Sequence, residues 1–211
     1  MHHYFQDRSI ALGKRARTRS TLIDGTIAAV AEKGLGEVSI KEITSRVGLA
    51  NGTFYNHFGD LDEVIRESAY AIAEVLAGEI AESVADEEDG VHRIILSTDA
   101  FIRRAQSEPH WASMIVDAAR RYRDVQHDAF NYLRADIALA TEQGAIAGGA
   151  NRFLLEQIGA LVILALDSPK SGGANRAVRR QTSEAVLKLL GLAKDQAESA
   201  VETVLGSRSR S

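Results

Sequence analysis

Cysteine is missing from all 211 residues. That removes disulfide scaffolds, thiolate metal sites and cysteine nucleophiles together, and it fits a reducing compartment. Long apolar runs are missing too. The longest unbroken one, Ala160 to Leu166, has 7 residues, against the ~20 that a membrane helix needs. The first residues hold no apolar stretch of secretion-signal length. A cytoplasmic protein with no membrane contact is expected. Catalytic signatures are also scarce: no Walker loop, no G-x-S-x-G and no H-E-x-x-H occurs. The 6 histidines are scattered, and Asp89-x-x-His92 is a single, weaker version of the paired Glu-x-x-His motifs of di-iron bundles. No metal, no cofactor and no enzymatic activity are expected.

Proline occurs only at Pro109 and Pro169, and few stretches alternate apolar and polar with period two. Helical spacing runs almost throughout. Thr18 is expected to cap a first helix ending at Lys33, with Leu22, Ile23, Ile27 and Val30 on one stripe and Gly34 as its stop. Short helices are expected over roughly 40–46 and 50–57, then a long one from Asp60 through Leu61, Val64, Ile65, Ile72, Leu76, Ile80 and Val84. Further helices are expected at about 91–106, 109–122, 125–143, 150–167, 174–191 and 193–204. Pro109 suits a first helical turn after a Ser107 cap. The fold class is all-α.

The formal net charge of −4 argues against a polyanionic partner until its distribution is read. Residues 1–60 hold 8 Lys/Arg against 6 Asp/Glu, a net of +2, whereas 61–211 hold 17 against 23, a net of −6. Arg8, Lys14, Arg15, Arg17 and Arg19 crowd a stretch with no acid. A small basic head on an acidic body can orient a protein on nucleic acid.

The densest pattern is SIKEITSRVGLANGTFYNHFGD, residues 39–60. Ser39-Ile-Lys-Glu42 reads as a capping box, with the Ser39 oxygen accepting from the Glu42 N–H and Glu42 reaching back, and Val38 with Ile43 as a hydrophobic staple. Gly48 in Val47-Gly48-Leu49 supplies a left-handed turn. Two short helices joined this way form a helix-turn-helix. On the second of them Phe54 and Phe58 share a face with Ala50 and join Ile40, Ile43, Val47 and Leu49 in a small core. Gly52 and Asn56 lie opposite, flanked by Thr53 and Tyr55, with Asn51 and His57 at the margins. That outward face is small and polar and carries no Lys or Glu, unlike a merely solvated one. A DNA major groove admits such a helix. Gly52 lets the backbone approach, Thr53 and Asn56 can meet base edges, and Tyr55 and His57 can donate to phosphate. Ser39 is placed for a phosphate at the positive end of the preceding helix.

Ala31-Glu-Lys-Gly34, Ile40, Ile43, Val47-Gly48, Gly52-Thr53-Phe54-Tyr55 and Phe58 together resemble the N-terminal DNA-binding domain of TetR-type regulators. The resemblance covers Arg19 to Phe58. It implies DNA contacts by Ser39, Thr53, Tyr55, Asn56 and His57, joined by Asn51, Gly52, Lys41 and Arg17 of the basic arm. Two departures stand out. Ala50 replaces a frequent capping Ser, and Asp60-Leu61 stands where a phosphate-touching Lys is common, which shifts electrostatic work to Lys41, Arg46 and the arm.

The remainder matches the size expected of a regulatory domain. The domain reading is a basic flexible arm at 1–17, a DNA-binding domain at 18–59, an effector-binding and dimerisation domain at 60–205 and a disordered tail at 206–211. Leu154, Leu155, Ile158, Leu161, Val162 and Ala165 on one helix, and Val178, Thr182, Ala185, Val186 and Leu189 on the next, form wide apolar faces. By the same resemblance these pair with a second copy, as reading two half-sites also requires. An effector pocket lined by Phe101, Trp111, Met114 and Phe130 is expected on the same basis. The resulting expectation is a homodimeric regulator, a repressor released from a palindromic double-stranded operator by a small-molecule effector. The rival is a non-catalytic helical interaction module. Salt separates them, because DNA binding releases counterions.

Overall fold

The computed structural model describes residues 4–8, 13–122, 131–168 and 172–207, and no strand occurs among them. Eleven helices form among the described residues: α1 (Tyr4–Arg8), α2 (Lys14–Lys33), α3 (Ile40–Arg46), α4 (Asn51–Tyr55), α5 (Leu61–Ser83), α6 (Gly90–Ser107), α7 (Pro109–Arg121), α8 (Asn131–Glu142), α9 (Arg152–Leu166), α10 (Gly172–Leu189) and α11 (Lys194–Ser207). The expected all-α architecture is thus present, and most helix boundaries fall within a few residues of the periodic pattern.

Two compact units divide the chain. The first comprises Met1–Ala73 and Glu108–Val125, the second Glu74–Ser107 and Gln126–Ser211. The division passes through α5 after Ala73 rather than at residue 60, and α7 joins the first unit. The expected tail beyond 207 lies outside the described residues.

In the first unit, α2 buries Leu22, Ile23, Ile27 and Val30, the stripe its spacing marks. It starts five residues earlier than expected, at Lys14. Thr18 is inside it, its hydroxyl donating to Lys14 O at 3.1 Å, so Thr18 caps nothing and Gly13 takes the cap position without a side-chain bond. Part of the expected flexible arm is also helical, since α1 packs on α2. Asp60 caps α5 by accepting from Glu63 N at 2.7 Å, and the Glu63 carboxylate accepts from Gly59 N at 2.6 Å. An acid therefore stands at this helix start because it satisfies an orphan N–H.

The core of the second unit is built from α6, α8, α9, α10 and α11, with Ile94, Ile95, Ile137, Leu155, Ile158, Val186, Leu187 and Val201 at its centre. Asp89 caps α6 through His92 N at 2.9 Å, which explains the Asp89-x-x-His92 spacing without a metal. Asn151 caps α9 through Leu154 N at 2.9 Å. Glu108, not Ser107, occupies the cap position of α7, and the Ser107 hydroxyl turns back to Arg104 O at 2.7 Å. Asp136, buried in α8, accepts from Arg93 Nε at 2.7 Å and from Ser97 Oγ at 3.1 Å, locking α6 to α8. No described helix is long and apolar enough to cross a membrane.

Candidate nucleic-acid interface

The turn between α3 and α4 is made as the sequence demands. Gly48 has φ +68°, a left-handed value that an L side chain resists. Ser39 Oγ accepts from Glu42 N at 3.3 Å, and the staple residues Val38 and Ile43 are both buried. The reciprocal half of the box is replaced. The Glu42 carboxylate pairs with Lys33 Nζ at 2.6 Å, and the pair holds the Lys33 ammonium above its ordinary range. This ties the end of α2 to the start of α3. A second tie joins Arg46 to Glu32, whose carboxyl is held below its usual range by that guanidinium.

Beneath α4 sit Phe54 and Phe58, both buried, with ring centroids 5.6 Å apart. The Arg19 guanidinium lies 4.4 Å over the Phe58 ring and pairs with Glu67. Ile43 completes this core, whereas Ile40, Val47 and Leu49 are half-buried and Ala50 is exposed, not packed as its helical position suggested. Ala50 also leaves α4 without a side-chain cap. The nearest side-chain support is the Thr44 hydroxyl, which donates to Asn51 Oδ1 at 2.6 Å. Asn51 is thereby tied to α3.

Most of the outward residues are exposed to solvent. Tyr55 is 60% exposed, its ring steadied edge-on by Phe54 at 5.5 Å. Ser39, Lys41, Asn51, Gly52 and Asn56 are exposed, and Thr53 is half-buried. Arg17 is exposed on α2. Arg15, which the pattern of the reader did not single out, donates from Nη2 to Asn56 O at 3.4 Å and brings a cation to the end of α4. The only signal for it was its place in the basic cluster.

His57 is half-buried at the end of this stretch. Burial, then the charges of Arg15 and Arg19, hold its imidazole below the ordinary histidine range. Nδ1 is enclosed without a partner. The proton of the neutral ring therefore belongs on Nε2, where an outside acceptor can reach it. His57 is a neutral donor in a cationic setting, which suits a phosphate oxygen.

Gly52 has no internal reason. A Cβ there would meet nothing within 4 Å, and it is not among the glycines of positive φ. Neither packing nor backbone geometry excludes alanine, yet Gly in a helix costs about 1 kcal/mol.

The other expected sites are arranged differently. Leu155, Ile158, Thr182 and Val186 are buried in the second unit itself. Leu154, Leu161, Val162, Val178 and Ala185 are half-buried. The exposed apolar side of α9 and α10 is a shallow groove lined by Leu161, Leu164, Ala185 and Leu189, with Gln157, Ala160 and Lys188 at its edges. Leu164 is 66% exposed and Phe153 68%. The spacing marked a wide apolar stripe on each helix but not which flank the remaining helices would cover. Trp111 and Met114 are buried in the first unit, and Phe101 is half-buried in the second. Phe130 lies outside the described residues.

Residues 22–67 match the family model described as bacterial regulatory proteins, tetR family. Solved structures of similar fold include RolR in complex with resorcinol, 21% identical, covering 89% of this chain and 94% of that one at a TM-score of 0.73. FadR from Bacillus subtilis in complex with stearoyl-CoA is 13% identical, with 81% and 97% covered and a TM-score of 0.62. FadR from Bacillus halodurans, a fatty acid degradation regulator, is 16% identical, with 82% and 98% covered and a TM-score of 0.64.

Proposed function

We propose that this chain, a member of the TetR family of bacterial regulatory proteins and a DNA-binding transcriptional regulator, acts as a homodimeric repressor that a small organic effector releases from a two-fold-symmetric operator. The observation that carries the reading is Gly52: a helix position kept without a side chain, on an exposed face, for no reason inside the protein. Around it, Thr53 and Asn56 are the base-edge readers, with Asn51 held by Thr44 beside them. Tyr55, the neutral His57, Ser39, Lys41, Arg15 and Arg17 supply backbone contacts, which position the protein without reading sequence. Asp60-Leu61 offers no cation, and Arg15 compensates from the start of α2.

Pairing of two copies along the α9–α10 groove supports the symmetric operator. A groove of exposed Leu164 and Leu189 over a closed core is stable in water when a second apolar surface covers it. An effector is supported by the ligands of RolR and FadR, a small phenol and a long acyl thioester. The reading assigns no catalytic step to any residue.

Selection of duplexes from a random-sequence pool at near-physiological salt tests it. Enrichment of a two-fold-symmetric site is expected. Tyr55→Ala should bind that site more weakly while keeping its helix content and oligomeric state. Failure of folded protein to enrich any sequence would overturn the reading in favour of an interaction module.

A further inference from the structure

Thr44 lies in the last turn of α3, only 1% exposed, and grips both sides of the turn that follows. Its carbonyl accepts from Leu49 N at 2.9 Å, and its hydroxyl donates to Oδ1 of Asn51 at 2.6 Å. Two other oxygens lie near that hydroxyl, Ile40 O at 2.9 Å and Lys41 O at 3.2 Å. A hydroxyl has one proton. The two carbonyls belong to α3, whose own backbone N–H groups supply them with donors, and Oδ1 is the nearest of the three. The distance also fixes the orientation of the amide. A contact of 2.6 Å suits O–H···O and is short for N–H···O, so the oxygen of the Asn51 amide, not its nitrogen, faces Thr44.

Asn51 opens α4 and is exposed, one turn before the exposed Tyr55. Its side chain is short, so its amide meets a base edge only where the backbone comes close to the groove. Gly52 beside it has no side chain to hold the groove off, and the space around it is open. The Thr44 proton occupies one lone pair of Oδ1. The other lone pair, with the neighbouring Nδ2–H, sets an acceptor beside a donor.

Adenine presents the matching edge in the major groove, N6 as donor and N7 as acceptor. Guanine sets its O6 acceptor against Oδ1 and is refused. An amide free to turn over can instead donate from Nδ2 to guanine O6 or thymine O4. The buried Thr44 proton opposes that turn, because it would then face an NH2 group. We propose that Asn51 reads an adenine in each operator half-site through Oδ1 and Nδ2, and that Thr44 is the positioning residue that sets this choice of base. The inference rests on the DNA-binding reading above.

Selection from a random-sequence duplex pool supplies the wild-type site, and competition with singly altered duplexes then measures each position. One adenine, repeated in both halves, should be preferred over guanine by at least about five-fold. Replacing it with 7-deazaadenine, which keeps its pairing with thymine but lacks the N7 acceptor, should weaken wild-type binding and leave Asn51→Ala unaffected. This arm on wild-type protein needs no variant to fold. Thr44→Val keeps the shape of the side chain without its proton; it should lose most of the adenine preference while its affinity for a non-specific duplex is unchanged. Thr44→Ser should restore the preference. Circular dichroism establishes that the variants are folded. Equal weakening on every duplex by Thr44→Val would overturn its positioning role, as would an adenine preference that survives that change. A wild-type site in which no adenine responds to Asn51→Ala refutes the proposal and leaves the DNA reading standing. Failure of folded wild-type protein to enrich any sequence would count against DNA binding itself and against the reader with it.

Discussion

Gly25, buried near the middle of α2, faces the turn of the helix-turn-helix. A methyl group at this position would lie 2.6 Å from Val47 Cγ1, with Ile43 O at 3.5 Å and Ile43 Cγ2 at 3.7 Å. Carbon atoms separate comfortably at about 3.5–4.0 Å, so Gly25→Ala must displace Val47, or α3 with it, by about 1 Å. Val47 is β-branched and stiff at χ1, and overpacking of this kind costs about 1–3 kcal/mol. Against this stands a gain of about 1 kcal/mol from replacing glycine inside a helix. The net expectation is a loss of up to about 2 kcal/mol, with DNA affinity falling because α3 and α4 move relative to α2. Val47→Ala alone removes part of a half-buried side chain, worth about 1 kcal/mol. In the Gly25→Ala background the same change removes the clash, so the two substitutions should couple favourably by about 1–3 kcal/mol. Urea unfolding of the four proteins, followed by emission of Trp111 in the same unit, measures the cycle. Additivity to within about 0.5 kcal/mol would refute the claim that Gly25 exists to admit Val47.

Three other expectations follow from the same geometry. The Tyr122 hydroxyl donates to Asp62 Oδ1 at 2.5 Å, and burial first, then that bond, push its pKa up to about 12; the folded state keeps the proton longer, so stability present below about pH 10 is lost as pH rises towards 12, and Tyr122→Phe should flatten the alkaline limb of a pH–stability profile. His57 is held neutral by burial and by Arg15 and Arg19, so the unfolded chain binds its proton more readily; stability should fall as pH drops below about 6.5, and His57→Gln should lose that slope in urea titrations at stepped pH. Leu164→Glu places a charge on a side chain that is 66% exposed, so the helix content should persist while sedimentation shows a monomer; a dimer as tight as the wild type would remove the α9–α10 groove from the interface.

What the sequence made legible is what neighbours within a few residues decide. Gly34 and Gly48 do carry positive φ, and Ser39 does cap α3, because a turn or a helix start is settled by one residue's backbone freedom or one short side chain. What it hid depends on distant partners. Thr18 had the right chemistry for a cap, but the helix continued through it because the preceding residues also favour one. Five residues are too few to show a period, and a helix that short has no stability of its own, so α1 is visible only through its packing on α2 and on Trp111, more than a hundred residues away. Leu155 and Leu164 are equally apolar on the same helix; the rest of the bundle covers the first and leaves the second exposed. Glu42 turned to Lys33 rather than back to Ser39 because a cation was supplied from another helix.

The same distinction locates function. Gly48 is required by its backbone angle. Gly25 is required by Val47, and Gly90 by the backbone of Ala140, whose nitrogen would lie 2.4 Å from an added methyl. Each is explained inside the chain. Gly52 is explained by neither angle nor neighbour, and Leu164 is a large apolar side chain that its own unit leaves 66% exposed. On the proposed function each answers to an external partner. For Gly52 that partner must come close to the backbone and accept hydrogen bonds from the neutral donors beside it, as a DNA groove does. For Leu164 it must be apolar, as a second α9–α10 pair is. The two residues lie in different units, so DNA binding and pairing can be weakened separately: Leu164→Glu should leave a monomer that keeps non-specific affinity for DNA, whereas Tyr55→Ala should leave the oligomeric state unchanged and weaken operator binding.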